Sequence, residues 1–252
     1  YLTESISCGG IGLRIDVLGV GFDNLTLDEA IERGAGLAAG EKFSYAVTPN
    51  PEFLLLAKKN EKFRAVLNGA DLVLADGVGV VYSAKILGRP LKGKVPGIDF
   101  AQRLLAWMAR HGKRLFLLGA KPGVAEEAGR RILESHPNIV LCGTHDGYFR
   151  EDGPVVEEIR AAAADVVFVC LGAPKQELWM VEHGPATGAH LMVGLGGSLD
   201  VFAGVVERAP EGFQKLGLEW LYRLVKEPKR IGRMAKLPLV LVQAAGARLR
   251  GK

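Results

Sequence analysis

The sequence predicts an α/β fold of the Rossmann-like kind, a mostly parallel sheet flanked by helices and followed by a basic helical appendage. Three observations carry that prediction. Six short, continuously apolar runs rich in Val, Leu and Phe have the pattern of strands buried on both faces. Amphipathic segments of helical length separate them, the alternation that covers both sides of a sheet. From residue 207 onward eleven Lys/Arg stand against four Glu, a net of +7 in a chain whose total is +4, which leaves the preceding residues at −3. That change of sign divides the chain into an α/β core, 1–206, and an appendage, 207–252, and points to an anionic partner for the tail: lipid, a phosphorylated substrate or nucleic acid.

Taken in order, the first helix falls near 26–39. Strand "FSYAV" (43–47) leads into a helical stretch at 50–69, "LVLA" (72–75) into 77–88, and another helix covers 98–111. "RLFLLG" (114–119) precedes 121–134, "NIVLCG" (138–143) precedes 154–163, and "DVVFVCLG" (165–172) precedes 175–183. "HLMVGLG" (190–196) closes the core. With 252 residues, 48% hydrophobic and 24% charged, the chain buries a full core and is not of the disordered class. No run approaches the ~18 apolar residues that span a bilayer. "YLTESISCGG" has neither a basic n-region nor a long apolar stretch, so a signal peptide is not expected there, and the expected location is cytoplasmic. Cys8, Cys142 and Cys170 show no CxxC spacing and are expected to be reduced thiols rather than disulfides or zinc ligands.

In an open parallel sheet, ligands bind beyond the carboxyl ends of the strands. The residues found there are Thr48-Pro49-Asn50, Asp76-Gly77, Gly119 to Gly123, Leu171 to Gln176, and Gly194 to Ser198. They are small or polar. Pro122 and Pro174 suit the first turn of a helix, where backbone N–H groups and the positive helix end hold phosphate. The competing reading of each loop is plain turn chemistry. "GVGF" (19–22) and "GLGGS" (194–198) are incomplete dinucleotide fingerprints, which argues against a nicotinamide enzyme. His145-Asp146 has a catalytic reading and a turn reading, the five His lack metal-ligand spacing, and there is no DxD, so neither a metal nor a cofactor is expected. Asp76 differs from these. A carboxylate directly after a buried run sits where partial desolvation raises its pKa toward general-base use, and its alternative role is an N-cap for the helix near Val78.

"TPNPEF" (48–53), "ADG" (75–77), "PGID" (96–99), "LGAKPGVA" (118–125), "LGAPKQELW" (171–179), "GGSLDVFAG" (196–204), "RAP" (208–210) and "LEWLYRLVKEPKRIGR" (218–233) occur in this order. That series resembles the WecG/TagA/CpsF glycosyltransferases, glycosyltransferase family 26, from about Ile15 to Arg233. The resemblance implies a catalytic core that transfers a sugar, with inversion and without a metal, from a UDP donor to a polyprenyl-diphosphate-linked sugar. TagA-like members move N-acetylmannosamine from UDP-ManNAc onto undecaprenyl-diphosphate-GlcNAc through a β-1,4 bond, in wall teichoic acid linkage-unit synthesis. By position in the motifs, Asp76 is the general base, and Thr48, Asn50, Gly172, Lys175, Gln176, Gly196 and Gly197 lie with the substrate. Lys94 stands where the family often has Arg; it neutralises a diphosphate but cannot form the bidentate fork. Other donors, UDP-ManNAcA or UDP-glucose, remain open.

In the appendage Phe213, Leu216, Trp220, Leu221, Leu224 and Val225 fall on one helical face, while Arg223, Lys226, Arg230 and Arg233 span about 80° of arc at ~100° per residue. Pro228 ends or kinks that helix. A solvated basic face is the plain reading. The resemblance implies membrane attachment and completion of the active site, with Arg223, Arg230 and Arg233 on a diphosphate. It implies a protein peripheral on the inner face of the cell membrane, and "LPLVLV" (237–242) as an interfacial segment. A nucleotide-binding module without catalysis would leave the position of Asp76 without purpose. No base-stacking platform accompanies the basic tail, so nucleic acid is not the expected partner. A homo-oligomer stays open.

Overall fold

The computed structural model describes residues 14–210, 212, 213, 219, 221, 222 and 236–251. Six strands form one sheet in the spatial order β4-β3-β8-β7-β5-β6, with β3 at Ser44–Val47, β4 at Leu72–Val73, β5 at Arg114–Gly119, β6 at Val140–His145, β7 at Val166–Cys170 and β8 at Leu191–Gly194. Every pairing is parallel. All six are the strands read from the sequence, and every carboxyl end therefore opens on one edge.

Alternate strand residues serve two cores. Val47, Phe116, Leu118, Val167, Val169 and Met192 face one side, where they meet helices α2 (Pro51–Lys59), α3 (Glu61–Gly69), α4 (Val78–Ile86), α7 (Asp152–Ala161) and α8 (Lys175–Thr187). Ala46, Leu115, Leu117, Phe168 and Val193 face the other, against α1 (Leu27–Ala39), α5 (Gly97–His111), α6 (Val124–Ser135) and the short α9 (Ser198–Phe202). Burial on both faces is what makes the strand sequences continuously apolar. The stretch 50–69, read as one helix, is two: the Asn60 backbone N–H ends α2 on Leu56 O while its side chain accepts from Phe63 N to open α3. One Asn thus serves as both caps.

A hairpin precedes the sheet, β1 (Ile15–Val17) and β2 (Val20–Phe22). Leu18 and Gly19 both have positive φ, 55° and 92°, the pair of angles a two-residue primed turn requires. "GVGF" is therefore turn and strand, not part of a nucleotide fingerprint. Beyond it, Asp23 donates its N–H to Val73 O at 3.0 Å and accepts from Val73 N at 2.8 Å. This closes the otherwise open edge of β4. Buried Asp23 is paired with Arg14 and Arg33, at 3.3 and 2.8 Å.

The described tail ends in a helix, α10 (Lys236–Leu249), packed on α2 and α4. Val240 and Ala244 are fully buried in the first core. Lys236 pairs with Glu52 at 2.6 Å, Lys58 donates to Gln243, and Arg248 donates to Leu87 O. The segment 237–242 is thus helical. It turns Val240 inward and leaves Leu239 and Val242 exposed. Trp220, Arg223, Arg230 and Arg233 lie outside the described residues, as does Cys8, while Cys142 and Cys170 are free thiols. No helix among the described residues is long and apolar enough to cross a membrane.

Gly119 marks the closest approach at the sheet edge. Its φ is +126°, and a Cβ there would fall 2.4 Å from Cys170 O on the paired strand. Gly119→Ala is expected to lose at least about 3 kcal/mol of stability through backbone strain and displacement, read by urea unfolding.

Candidate active site

The loops at the carboxyl edge are tied to one another in series. Val95 N donates to Ala75 O at 2.8 Å, Asp76 N to Pro49 O at 3.1 Å, and the Thr48 hydroxyl to Gly194 O at 2.9 Å. Leu195 N donates to Val169 O, Gly196 N to Gln176 Oε1 at 3.0 Å, Ala120 N to Cys170 O and Gly147 N to Ala120 O. These bonds satisfy part of the backbone polarity of the edge and link its segments to one another. The result is a fixed rim rather than six independent loops.

Asp76 is half-buried on that rim, after the buried Leu74 and Ala75. Gly77, not Asp76, occupies the N-cap of α4, and that helix has no side-chain cap. The capping role for Asp76 is therefore not found. Thr48 is buried, and its hydroxyl, donated to Gly194 O, joins the ends of β3 and β8. Asn50 caps α2, its Oδ1 accepting from Glu52 N and Phe53 N at 2.9 and 3.3 Å. Lys94 is carried by the segment whose Val95 bonds Ala75, which brings it to the same side of the rim as Asp76.

Across β8 lies the second group. Lys175 reaches over the Phe149 ring, 4.5 Å from its centroid, and donates to Gly147 O at 3.3 Å, joining the loops after β6 and β7. Gln176 is almost fully buried. Gly172 accepts the Gln176 N–H at its carbonyl, and Gly197 stands at the N-cap of α9. Pro174 is the N-cap of α8, whereas Pro122 lies ahead of Gly123, the N-cap of α6, so only Pro174 adjoins a first helical turn. Neither helix carries a side-chain cap. The structure thus gathers Thr48, Asn50, Asp76, Lys94, Gly172, Lys175, Gln176, Gly196 and Gly197 along one edge. Asp146 accepts from Tyr148 N at 2.7 Å, the turn role, and His145 pairs with Glu158. Among the described residues no His/Cys/Asp/Glu group is arranged to hold a metal ion. A surface groove of about 630 Å³ between α5 and α6, lined by Asp99, Arg103 and Arg131, contains none of these edge residues.

A profile of the Glycosyl transferase WecG/TagA/CpsF family matches residues 15–252. The chain belongs to that family. Among its relatives are proteins of Staphylococcus aureus strains MW2, NCTC 8325 / PS 47 and COL, each 36% identical over 237 residues, 93% of this chain and 93% of theirs. Each of those proteins bears the name N-acetylglucosaminyldiphosphoundecaprenol N-acetyl-beta-D-mannosaminyltransferase. As a WecG/TagA/CpsF member the chain is a glycosyltransferase, and the carboxyl edge is where its fold places ligands.

One residue at this edge is absent from the sequence-derived set. Glu177 is fully buried, its Oε1 accepting from Gln176 Nε2 at 2.5 Å and its Oε2 without a hydrogen-bond partner among the described residues. Burial pushes its carboxyl from the usual 4.5 up to about 7, against the opposing pull of the Gln176 bond. The only signal in the sequence was its place in "PKQE", directly after Gln176. A carboxyl with a folded pKa above its unfolded value destabilises the fold as pH rises: the penalty is absent below about 4.5 and complete above about 7. Glu177→Gln removes it. In urea titrations from pH 5 to pH 8 the variant is expected to gain on wild type with rising pH, by on the order of 3 kcal/mol at the upper limit. A gap independent of pH would show that the carboxyl does not ionise in place.

Proposed function

We propose that the protein transfers N-acetylmannosamine from UDP-ManNAc to undecaprenyl-diphosphate-GlcNAc, with inversion at the anomeric carbon and without a metal ion, as a step of wall teichoic acid linkage-unit synthesis. The observation that carries the reading is the placement of Asp76 on a rim joined by hydrogen bonds to the Gln176 loop on the other side of β8, in a chain similar along 93% of its length to transferases of that name. In this reading the acceptor hydroxyl oxygen attacks the anomeric carbon from the face opposite UDP. The new C–O bond forms as the bond to the β-phosphate oxygen breaks, UDP leaves with the electron pair, and Asp76 takes the hydroxyl proton. Charge growing on the β-phosphate is met by the uncapped helix starts of α6 and α8 and by basic side chains such as Lys94. Gln176 and Thr48 hold the loops between which the donor sugar lies.

The appendage completes the site in the same reading. The seating of α10 on α2 and α4 returns the chain to the two helices that follow Asn50 and Asp76, which supports a role for the intervening Arg223, Arg230 and Arg233 on the lipid diphosphate or UDP. Leu239 and Val242, 48% and 68% exposed, present apolar surface suited to a peripheral position on the inner leaflet.

UDP release is the direct test, with UDP-ManNAc and a short-chain acceptor analogue in EDTA. Acceptor-dependent release is expected, and Asp76→Asn is expected to lower it about 10²–10⁴-fold with the thermal melt retained. Near-wild-type turnover in that variant would remove Asp76 from the role; release from UDP-glucose or UDP-ManNAcA alone would change the donor, and release from none would leave a nucleotide-binding module.

Because α10 is built into the core, substitution tests the tail more cleanly than deletion. Replacing Arg223, Arg230 and Arg233 together by Ala is expected to lower kcat by at least about 10²-fold, as loss of fixed donors to developing charge does. Binding to anionic vesicles should weaken by ~1 kcal/mol per residue removed. Unchanged values of both would detach the tail from the site.

A further inference from the structure

Glu177 is a buried carboxyl to which the bond-making and proton-transfer steps given above assign no part. It does not reach the rim, being fully buried beneath it, and it makes no ion pair among the described residues. As packing alone it is a poor choice, since a Met of similar volume would fill the space without an unpartnered oxygen. Its Oε1 accepts from the Gln176 amide.

Gln176 is where the hydrogen-bond pattern becomes specific. A glutamine amide has two orientations of nearly equal shape, distinguished only by its partners. Here Oε1 faces a donor, Gly196 N at 3.0 Å, and Nε2 faces an acceptor, Glu177 Oε1 at 2.5 Å. Reversing the amide would set N–H against N–H on one side and oxygen against oxygen on the other. Gly194 packs directly on this pair: a Cβ there would lie 3.0 Å from Gln176 Nε2 and 3.4 Å from Glu177 Oε1. The carbonyl of the same Gly194 takes the Thr48 hydroxyl. A continuous series therefore runs from Glu177 through Gln176 to the 194–196 loop and on to Thr48.

We propose that Glu177 is a positioning residue for the transfer reaction, fixing the orientation of the Gln176 amide and through it the 194–196 loop against which the donor sugar is held. The proposal rests on the transferase reading given above. A proton carried on Oε2, which has no partner among the described residues, leaves Oε1 accepting, so the lock holds in either state.

Three variants and two readouts test it. Glu177→Gln keeps an acceptor oxygen for Gln176 Nε2 and is expected to stay within about 3-fold of wild-type kcat, since the amide oxygen accepts as the carboxyl oxygen does. Glu177→Met keeps the volume and removes the acceptor, with an expected fall in kcat of up to about 10²-fold at an undiminished melting temperature, the scale on which misplaced groups slow a reaction. In a Gln176→Ala background the Glu177→Met loss should vanish, because the residue acts through that amide. Wild-type kcat in Glu177→Met, or a full further loss in the Gln176→Ala background, would overturn the proposal. The second readout needs no turnover: the Gln176 side-chain amide protons, assigned by their absence in Gln176→Ala, should exchange slowly in wild type and Glu177→Gln and fast in Glu177→Met. Slow exchange beside a wild type inactive on every UDP-sugar would overturn the transferase reading and with it the catalytic purpose of the lock, while leaving the lock itself in place. Fast exchange in wild type would overturn the lock.

Discussion

Everything at the site depends on one constraint, that a parallel sheet covered on both faces leaves its backbone polarity accessible only at strand ends. With helices packed above and below, Ala46, Phe116, Phe168 and Val193 have no route to solvent. At the carboxyl edge six chain segments bring polar groups together, and each of them must be satisfied there or meet a ligand. The hydrogen bonds running from Val95 to Gly147 are the outcome. They turn six loops, individually capable of many conformations, into a surface with one shape. Rigidity of this kind is what a reaction needs when charge must be met by groups that do not move.

The strands could be read from the sequence because each is a short apolar run, five of them buried on both faces and the edge strand β6 only partly so, and the loops that follow them could be read because small and polar residues end each run. Other features could not be read. The hairpin at 15–22 is made of three-residue strands around a Leu-Gly turn, too short to carry a periodicity, and half of it resembled part of a phosphate-binding fingerprint. Asn60 splits one apparent helix into two, a local event invisible to a pattern that continues in phase on both sides. The apolar segment 237–242 announced a surface in want of a partner, but not that Val240 would find it on α2 and α4.

The site was legible in its residue types and illegible in its bonding. Asp76, Thr48 and Gln176 stand at strand ends, which a sequence can place; that Thr48 bridges to Gly194 over a separation of 146 residues is a property of strand order, which it cannot. Glu177 makes the same point more sharply. Two residues from an exposed Lys175, on the first turn of a helix, it has every local mark of a solvated acid favourably placed by the helix dipole. Only the three-dimensional path of β8 beneath that turn makes it a buried one.

Strand order also separates two halves of the rim. Asp76 and Asn50 hang from β4 and β3, Gln176 and Lys175 from the end of β7, and β8 runs between them as a seam crossed at the rim by the bonds of Thr48 and Gln176. The loops after β5 and β6, at 120–123 and 146–151, are tied by hydrogen bonds to the second half. Lineages descending from such a scaffold are free to lengthen, shorten or recolour those outer loops without moving the carboxylate on the far side of the seam. A fold divided in this way can acquire new sugars while keeping one chemistry.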